Sequence, residues 1–120
     1  MSQLIDESKP IFQQIAERIE DDIVLGVLPE ETQVPSTNQF AAFYRINPAT
    51  AAKGVNLLVE QGILYKKRGI GMFVAAGARE ALVAKRRKQF FDQYVAAMLA
   101  EAEKLGISRE ELIEMIRKGG

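Results

Sequence analysis

Residues 36–71 read STNQFAAFYRINPATAAKGVNLLVEQGILYKKRGIG, and this stretch decides the fold. It opens on Ser36-Thr37-Asn38-Gln39, a serine followed three residues later by a glutamine. In that spacing the two side chains satisfy each other's backbone N–H groups at a helix start. A short helix is expected through about Phe43, burying Phe40 and Phe43. Asn47-Pro48 is a second start signal, with Asn47 as the cap and Pro48 in the first helical position. That helix should run to about Gln61 and stop at Gly62. Ala51, Val55, Leu58 and Val59 form its inner face, while Ala49, Thr50, Ala52, Lys53 and Asn56 lie outside. Two β-rich runs follow, Ile63–Lys66 and Met72–Ala75, around the turn Lys67-Arg68-Gly69-Ile70-Gly71. Glycines between such runs mark a hairpin.

Working outward, a helix is expected to begin near Pro10, with Ser8 as its cap and proline in the first turn. Ile11, Ile15, Ile19 and Ile23 recur every four residues, with Phe12 and Ala16 beside them, and so form one apolar face. Gly26 stops this helix, and Pro29 and Pro35 bracket a connector that helix does not cross easily. Beyond Gly77 a long helix is expected from about Ala78 to Leu105. Phe91, Val95, Met98, Ala102 and Leu105 follow a 4-3-4-3 step, widened by Phe90, Tyr94 and Ala97. Gly106 breaks it, and Ser108-Arg109-Glu110-Glu111 opens a last helix carrying Leu112, Ile113 and Ile116. The chain is thus read as mainly α with one small β-hairpin, divided into residues 1–77 and a two-helix tail, 78–120.

The 120 residues include 48% hydrophobic and 27% charged residues, a balance that supports a packed core. No run of about 18 apolar residues could span a membrane. The N-terminus lacks a charged segment followed by an apolar one, so no secretory signal is expected and a cytoplasmic location fits. Cysteine and histidine are both absent, which removes disulfides, thiol chemistry, zinc sites and histidine proton transfer. Neither a plausible carboxylate pair nor a phosphate-binding glycine loop is present. The chain is therefore expected to be neither an enzyme nor the carrier of a cofactor or metal.

The net charge of zero hides an uneven distribution. Residues 1–34 carry two basic and eight acidic side chains. Residues 35–77 carry Arg45, Lys53, Lys66, Lys67 and Arg68 against Glu60 alone. A basic central segment in a neutral protein points to a charged partner. The order of elements names that partner. Two helices joined around Tyr44-Arg45-Ile46 resemble a helix-turn-helix, whose second helix enters the DNA major groove. The hairpin that follows would be a wing, its tip carrying Lys66, Lys67 and Arg68 beside glycines that let backbone approach phosphate. Thr50 and Asn56 also suit a solvated helix face, and the three cations also suit an edge strand guarded against aggregation.

Residues 10–75 resemble the N-terminal domain of the GntR family of bacterial regulators. The resemblance rests on Pro10-Ile11-Phe12-Gln13-Gln14-Ile15, Gly26-Val27-Leu28-Pro29, Val34-Pro35-Ser36, Ile46-Asn47-Pro48-Ala49-Thr50, Leu57–Leu64 and Arg68–Val74. The Asn-Pro-x-Thr start and the short tail are most like the YtrA subfamily. The resemblance implies a winged helix-turn-helix that reads a palindromic operator as a dimer, most simply as a repressor, with a transporter operon as its target. It places Ser36, Thr50, Lys53 and Gly71 at matching DNA-contact positions. Asn38 stands where the family often has arginine, Ala52 where many relatives are polar or basic, and Glu31 where a turn glycine is common. With few arginines to read guanine, specificity would lean on wing and shape contacts.

The candidate DNA-binding set is Ser36, Thr37, Asn38, Asn47, Ala49, Thr50, Lys53, Asn56, Lys66, Lys67, Arg68, Gly69 and Gly71. The candidate dimer seam is Phe90, Phe91, Tyr94, Val95, Met98, Ala102, Leu105, Leu112 and Ile116. Its stripe is too wide for a helix alone in water, and a two-fold dimer is the commonest solution. Double-stranded operator DNA and a second copy are therefore the expected partners. A tail of this length is too short to enclose a ligand pocket by itself, and the sequence names no effector. The alternative is a winged-helix scaffold that binds proteins without reading DNA.

Overall fold

The computed structural model describes residues 8–119. Asp6 and Glu7, part of the acidic N-terminal charge, lie outside the described residues. The described chain forms two compact units divided between Val83 and Ala84.

In the first unit α1 spans Ile11–Val24, α2 Thr37–Tyr44 and α3 Pro48–Glu60, followed by β1 (Leu64–Lys67) and β2 (Gly71–Val74). In the α1 repeat Ile11, in the first turn, is 38% exposed, while the other three isoleucines, Ile15, Ile19 and Ile23, are fully buried. Each withdraws enough surface to contribute about 1.5–3 kcal/mol. They meet Phe40 and Ala41 of α2, Ala51, Val55 and Leu58 of α3, and Leu64 and Val74 of the hairpin in one core. The start of α1 differs from expectation. Pro10 is its cap residue and no side chain caps it, so Ser8 does not serve as the N-cap. Proline has no side-chain acceptor to offer the first turn, and the Gln13 and Gln14 N–H groups donate to the Pro10 carbonyl at 3.1 and 3.3 Å instead. Phe43 is also not buried, being 51% exposed and edge-on to Tyr44. Eight residues of helix turn only one face inward, and Phe40, Ala41 and Tyr44 occupy it.

The caps at α2 and α3 form as the sequence requires. The Ser36 hydroxyl accepts from the Gln39 N–H at 3.1 Å, and the Gln39 amide oxygen accepts from the Ser36 N–H at 2.7 Å. Asn47 Oδ1 accepts from the Ala49 N–H at 2.7 Å. Arg45, the C-cap of α2, is left-handed at φ 57°, and this lets the chain turn into α3 within a few residues. Inside α3, Gly54 is buried, and a Cβ there would stand 2.7 Å from the Phe12 carbonyl oxygen. The α1 and α3 backbones therefore touch where a side chain would hold them apart.

The strands pair antiparallel with Tyr65 opposite Phe73 and Lys67 opposite Gly71. Each is displaced by one residue from its expected span. The connector supplies a third, short line of pairing along β2. Glu31 N–H donates to Val74 O at 2.8 Å, Val74 N–H to Thr32 O at 3.0 Å, and Val34 N–H to Met72 O at 2.9 Å. The wing is thus hydrogen-bonded on both sides of β2. Next, α4 (Ala78–Phe90) sends Ala78 and Leu82 into the first unit's core. Its opening is capped from far along the chain, where Glu30 accepts from the Arg79 N–H at 3.2 Å; Arg79 Nε in turn donates at 2.9 Å to Val24 O, a carbonyl at the end of α1.

The second unit holds the end of α4, a π-helical turn at Phe91–Val95, α5 (Ala96–Lys104) and α6 (Arg109–Lys118). The π turn interrupts the continuous helix expected over 78–105. It adds one residue to a single turn, so the 4-3-4-3 step does not continue as one straight stripe. Ser108 and Glu111 close the capping box of α6. Ala102 and Leu112 are the buried residues of this unit. Among the described residues no helix is long and apolar enough to cross a membrane, and no group of three metal-ligating side chains assembles.

Candidate nucleic-acid interface

Three elements of the first unit carry the candidate residues. At the start of α2, Ser36 and Asn38 are exposed and Thr37 is half-buried. Ser36 already spends its oxygen as an acceptor in the cap, which leaves its hydroxyl proton to donate outward. On α3, Ala49, Lys53 and Asn56 are exposed at the i, i+4, i+7 spacing of one helix face. Thr50, a turn's fraction to one side, is half-buried. Ala49, Ala52, Lys53, Asn56 and Leu57 line a groove of about 470 Å³ with Glu60 and Phe12 of α1. Lys53 does not extend freely from this face. Its ammonium sits 4.2 Å from the centroid of the Phe12 ring, within cation–π range.

On the wing, strand alternation divides the three cations. Leu64 and Lys66 share one face of β1 and Tyr65 and Lys67 the other, while Arg68 lies in the turn. All three are exposed. Gly71, opposite Lys67, adopts φ 149°, and a Cβ there would collide with the Gln33 amide. Gln33 uses that space to donate from Nε2 to Ile70 O at 3.1 Å. Gln33 is a flexible side chain that can move aside, so it is the positive φ that favours glycine at 71. With no side chain across from it, Lys67 leans diagonally and places its ammonium 4.4 Å from the Phe73 centroid. Phe73 in turn stacks on Tyr65 at 5.9 Å. The Tyr65 hydroxyl donates to Glu31 Oε1 at 2.7 Å. That hydrogen bond, with desolvation and the Glu31 charge acting the same way, pushes the Tyr65 phenol above its ordinary 10.0. Burial likewise raises Tyr44 above 10.0, partly opposed by the charge of Arg18.

Sequence reasoning placed the α2, α3 and wing residues but missed Phe12, Gln33, Tyr65 and Phe73, which hold two of the cations or the wing turn. The pairing of two aromatics across the hairpin was the available signal for the last two. In the tail, Phe90, Phe91, Tyr94, Leu105 and Ile116 are all more than half exposed, and Met98 is 37% exposed. Val95 is half-buried. Ala102 and Leu112 are buried within their own unit, so they offer little surface to a partner.

Residues 11–74 match the family described as bacterial regulatory proteins, gntR family. The chain belongs to the GntR family. As a GntR regulator it is similar to the HTH-type transcriptional repressor YtrA of Bacillus subtilis, 26% identical over 92% of this chain and 85% of that protein, and its type is YtrA-like. Among solved structures it resembles a GntR-family transcriptional regulator from Bacteroides thetaiotaomicron, with 38% identity, 90% and 94% of the two chains covered and a TM-score of 0.70. It also resembles the AraR DNA-binding domain solved in complex with operator ORX1, with 30% identity, 59% and 87% coverage and a TM-score of 0.54. The fold is the winged helix expected of the family, mainly helical with one hairpin. The relatives are named as regulators of transcription and not as enzymes.

Proposed function

We propose that this GntR regulator binds a palindromic operator in double-stranded DNA as a homodimer in the cytoplasm and represses the adjoining genes, a transporter operon being the target its resemblance suggests. The observation that carries the reading is one unit that combines the exposed Ala49-Lys53-Asn56 face of α3 with a hairpin ending in Lys66, Lys67 and Arg68. A similar unit in AraR was solved on its operator. In this reading Ala49, Thr50, Lys53 and Asn56 approach base edges. Ser36, Thr37, Asn38 and Asn47, at the starts of two helices, approach phosphate, where helix N-termini favour anions. Lys66, Lys67, Arg68 and the backbone of Gly69 and Gly71 approach phosphate or the minor groove.

The tail brings a second DNA-binding domain to the second half-site. Phe90, Phe91, Tyr94, Met98, Leu105 and Ile116 are exposed apolar side chains within and on both sides of the π turn, and a second copy covers them. Two linked domains then engage two half-sites at high effective concentration, about one helical turn apart.

The test is a gel shift on the upstream region of the protein's own gene against random DNA. Thr50→Ala with Asn56→Ala should weaken specific binding by about 1–3 kcal/mol per lost base contact and leave random binding unchanged. Equal loss on both DNAs would mean that these residues do not read bases. An absence of specific binding at low salt would favour the protein scaffold instead.

A further inference from the structure

We propose that Glu31 is a positioning residue for the wing cation Lys67, acting through Tyr65 and Phe73, so that a carboxylate outside the DNA contact governs how firmly the wing holds phosphate. The proposal rests on the reading of Lys67 as a backbone contact. Three observations carry it. Glu31 is left-handed at φ 66°, a conformation that favours glycine, so a side chain is retained there against the backbone's preference. That side chain accepts the Tyr65 hydroxyl at 2.7 Å across 34 positions of sequence. The Tyr65 ring stacks on Phe73 at 29° between planes, and Lys67 rests over Phe73 at 4.4 Å.

The links are of different kinds, and each acts on the next. The hydrogen bond fixes the rotation of Tyr65. The fixed Tyr65 ring limits the tilt of Phe73, its directly opposed partner. The Phe73 face then holds the Lys67 ammonium by its negative quadrupole. A lysine has a flexible four-carbon stem, and ordering it before DNA arrives reduces the entropy lost on binding. The connector reinforces the arrangement from the other side, since the Glu31 N–H is itself bonded to Val74 O in β2.

Simple electrostatics predicts the opposite sign. Glu31 is an anion close to a phosphate-binding wing, and its removal should tighten DNA binding. The two accounts separate in a double-mutant cycle read by affinity at one fixed salt concentration for the upstream region of the protein's own gene. In the wild-type background Lys67→Ala should weaken binding several-fold and lower the slope of log K against log salt by about 1 per protomer, which marks it as a phosphate contact. In a Tyr65→Phe or Glu31→Ala background the same substitution should weaken binding by a much smaller factor, because the lysine is no longer ordered in advance. Glu31→Gln keeps an acceptor for Tyr65 and should restore the full effect. Circular dichroism of each variant checks that the fold is intact. Additive effects of Tyr65→Phe and Lys67→Ala would overturn the positioning role while leaving the wing in the interface. Tightening by Glu31→Ala equal to that by Glu31→Gln would overturn it in favour of bare charge. A silent Lys67→Ala in the wild-type background would take Lys67 out of the DNA contact, and the proposal with it, while leaving Lys66 and Arg68 to carry the wing.

Discussion

The contact at Gly54 gives the most direct test of how the first unit is built. Replacing Gly54 with alanine places a Cβ 2.7 Å from the Phe12 carbonyl oxygen and 3.1 Å from Ile15 Cβ. Carbon and carbonyl oxygen normally meet at about 3.3–3.6 Å, so α1 and α3 must separate by roughly half an ångström or more. Two effects oppose each other. Alanine gains about 1 kcal/mol of helix propensity over glycine. Overpacking a core costs about 1–3 kcal/mol, and here the upper part of that range applies, because the obstacle is backbone and cannot rotate away. The expected net loss is about 1–2 kcal/mol, which lowers the melting temperature by roughly 5–15 °C for a domain of this size. Thermal unfolding followed by circular dichroism at one fixed protein concentration measures it, since association would shift the midpoint. A variant as stable as the wild type, or more stable, would refute the reasoning: the helices would then not be in backbone contact, and Gly54 would be no more than a weak helix former.

Ser36→Ala and Asn47→Ala each remove a cap bond and should each cost about 1 kcal/mol in urea unfolding. Phe91→Asp with Met98→Asp places charge in the exposed tail stripe and should convert the protein to a monomer in sedimentation and weaken operator binding; a retained dimer would exclude that face. Point substitutions are preferable here to a cut after Gly77, which would also take Ala78 and Leu82 out of the first unit's core. In an alkaline absorbance titration Tyr65 should ionise above 10.0, and Glu31→Ala should bring it back towards that value. Because its folded value is raised, the stability it contributes is complete below the unfolded value and is lost as pH rises through the folded one, so the pH window lies on the alkaline side.

The features that were legible in the sequence are those set by neighbours a few residues apart. Ser36 with Gln39, Asn47 with Pro48, and Ser108 with Glu111 are helix starts whose partners are local, and all three form as read. The isoleucine repeat of α1 was equally plain from Ile15 to Ile23, since the helix period alone sets them on one face; Ile11, in the first turn, is left exposed. The features that were not legible depend on distant partners. The connector pairs with β2 across about forty residues and shows no alternation of its own over 31–34. Phe43 could not be separated from Phe40, because a helix of eight residues is too short to define its buried face. The cation shelves depend on which rings the fold brings beneath Lys53 and Lys67. The π turn has no composition signal, as its residues would suit an α-helix equally well.

That π turn bears on how the tail can change over generations. A residue inserted into an α-helix rotates everything downstream by about 100°, which would swing any seam away from its counterpart. A wide turn takes up the extra residue in place, so α5 keeps the phase it would have had without it. The stretch Phe91–Val95 is thus a point at which the tail can gain or lose a single residue while Met98 and the residues beyond it keep their aim. Insertions and deletions should therefore collect there among descendants of this chain, and a one-residue deletion within it should be tolerated where the same deletion in α5 is not.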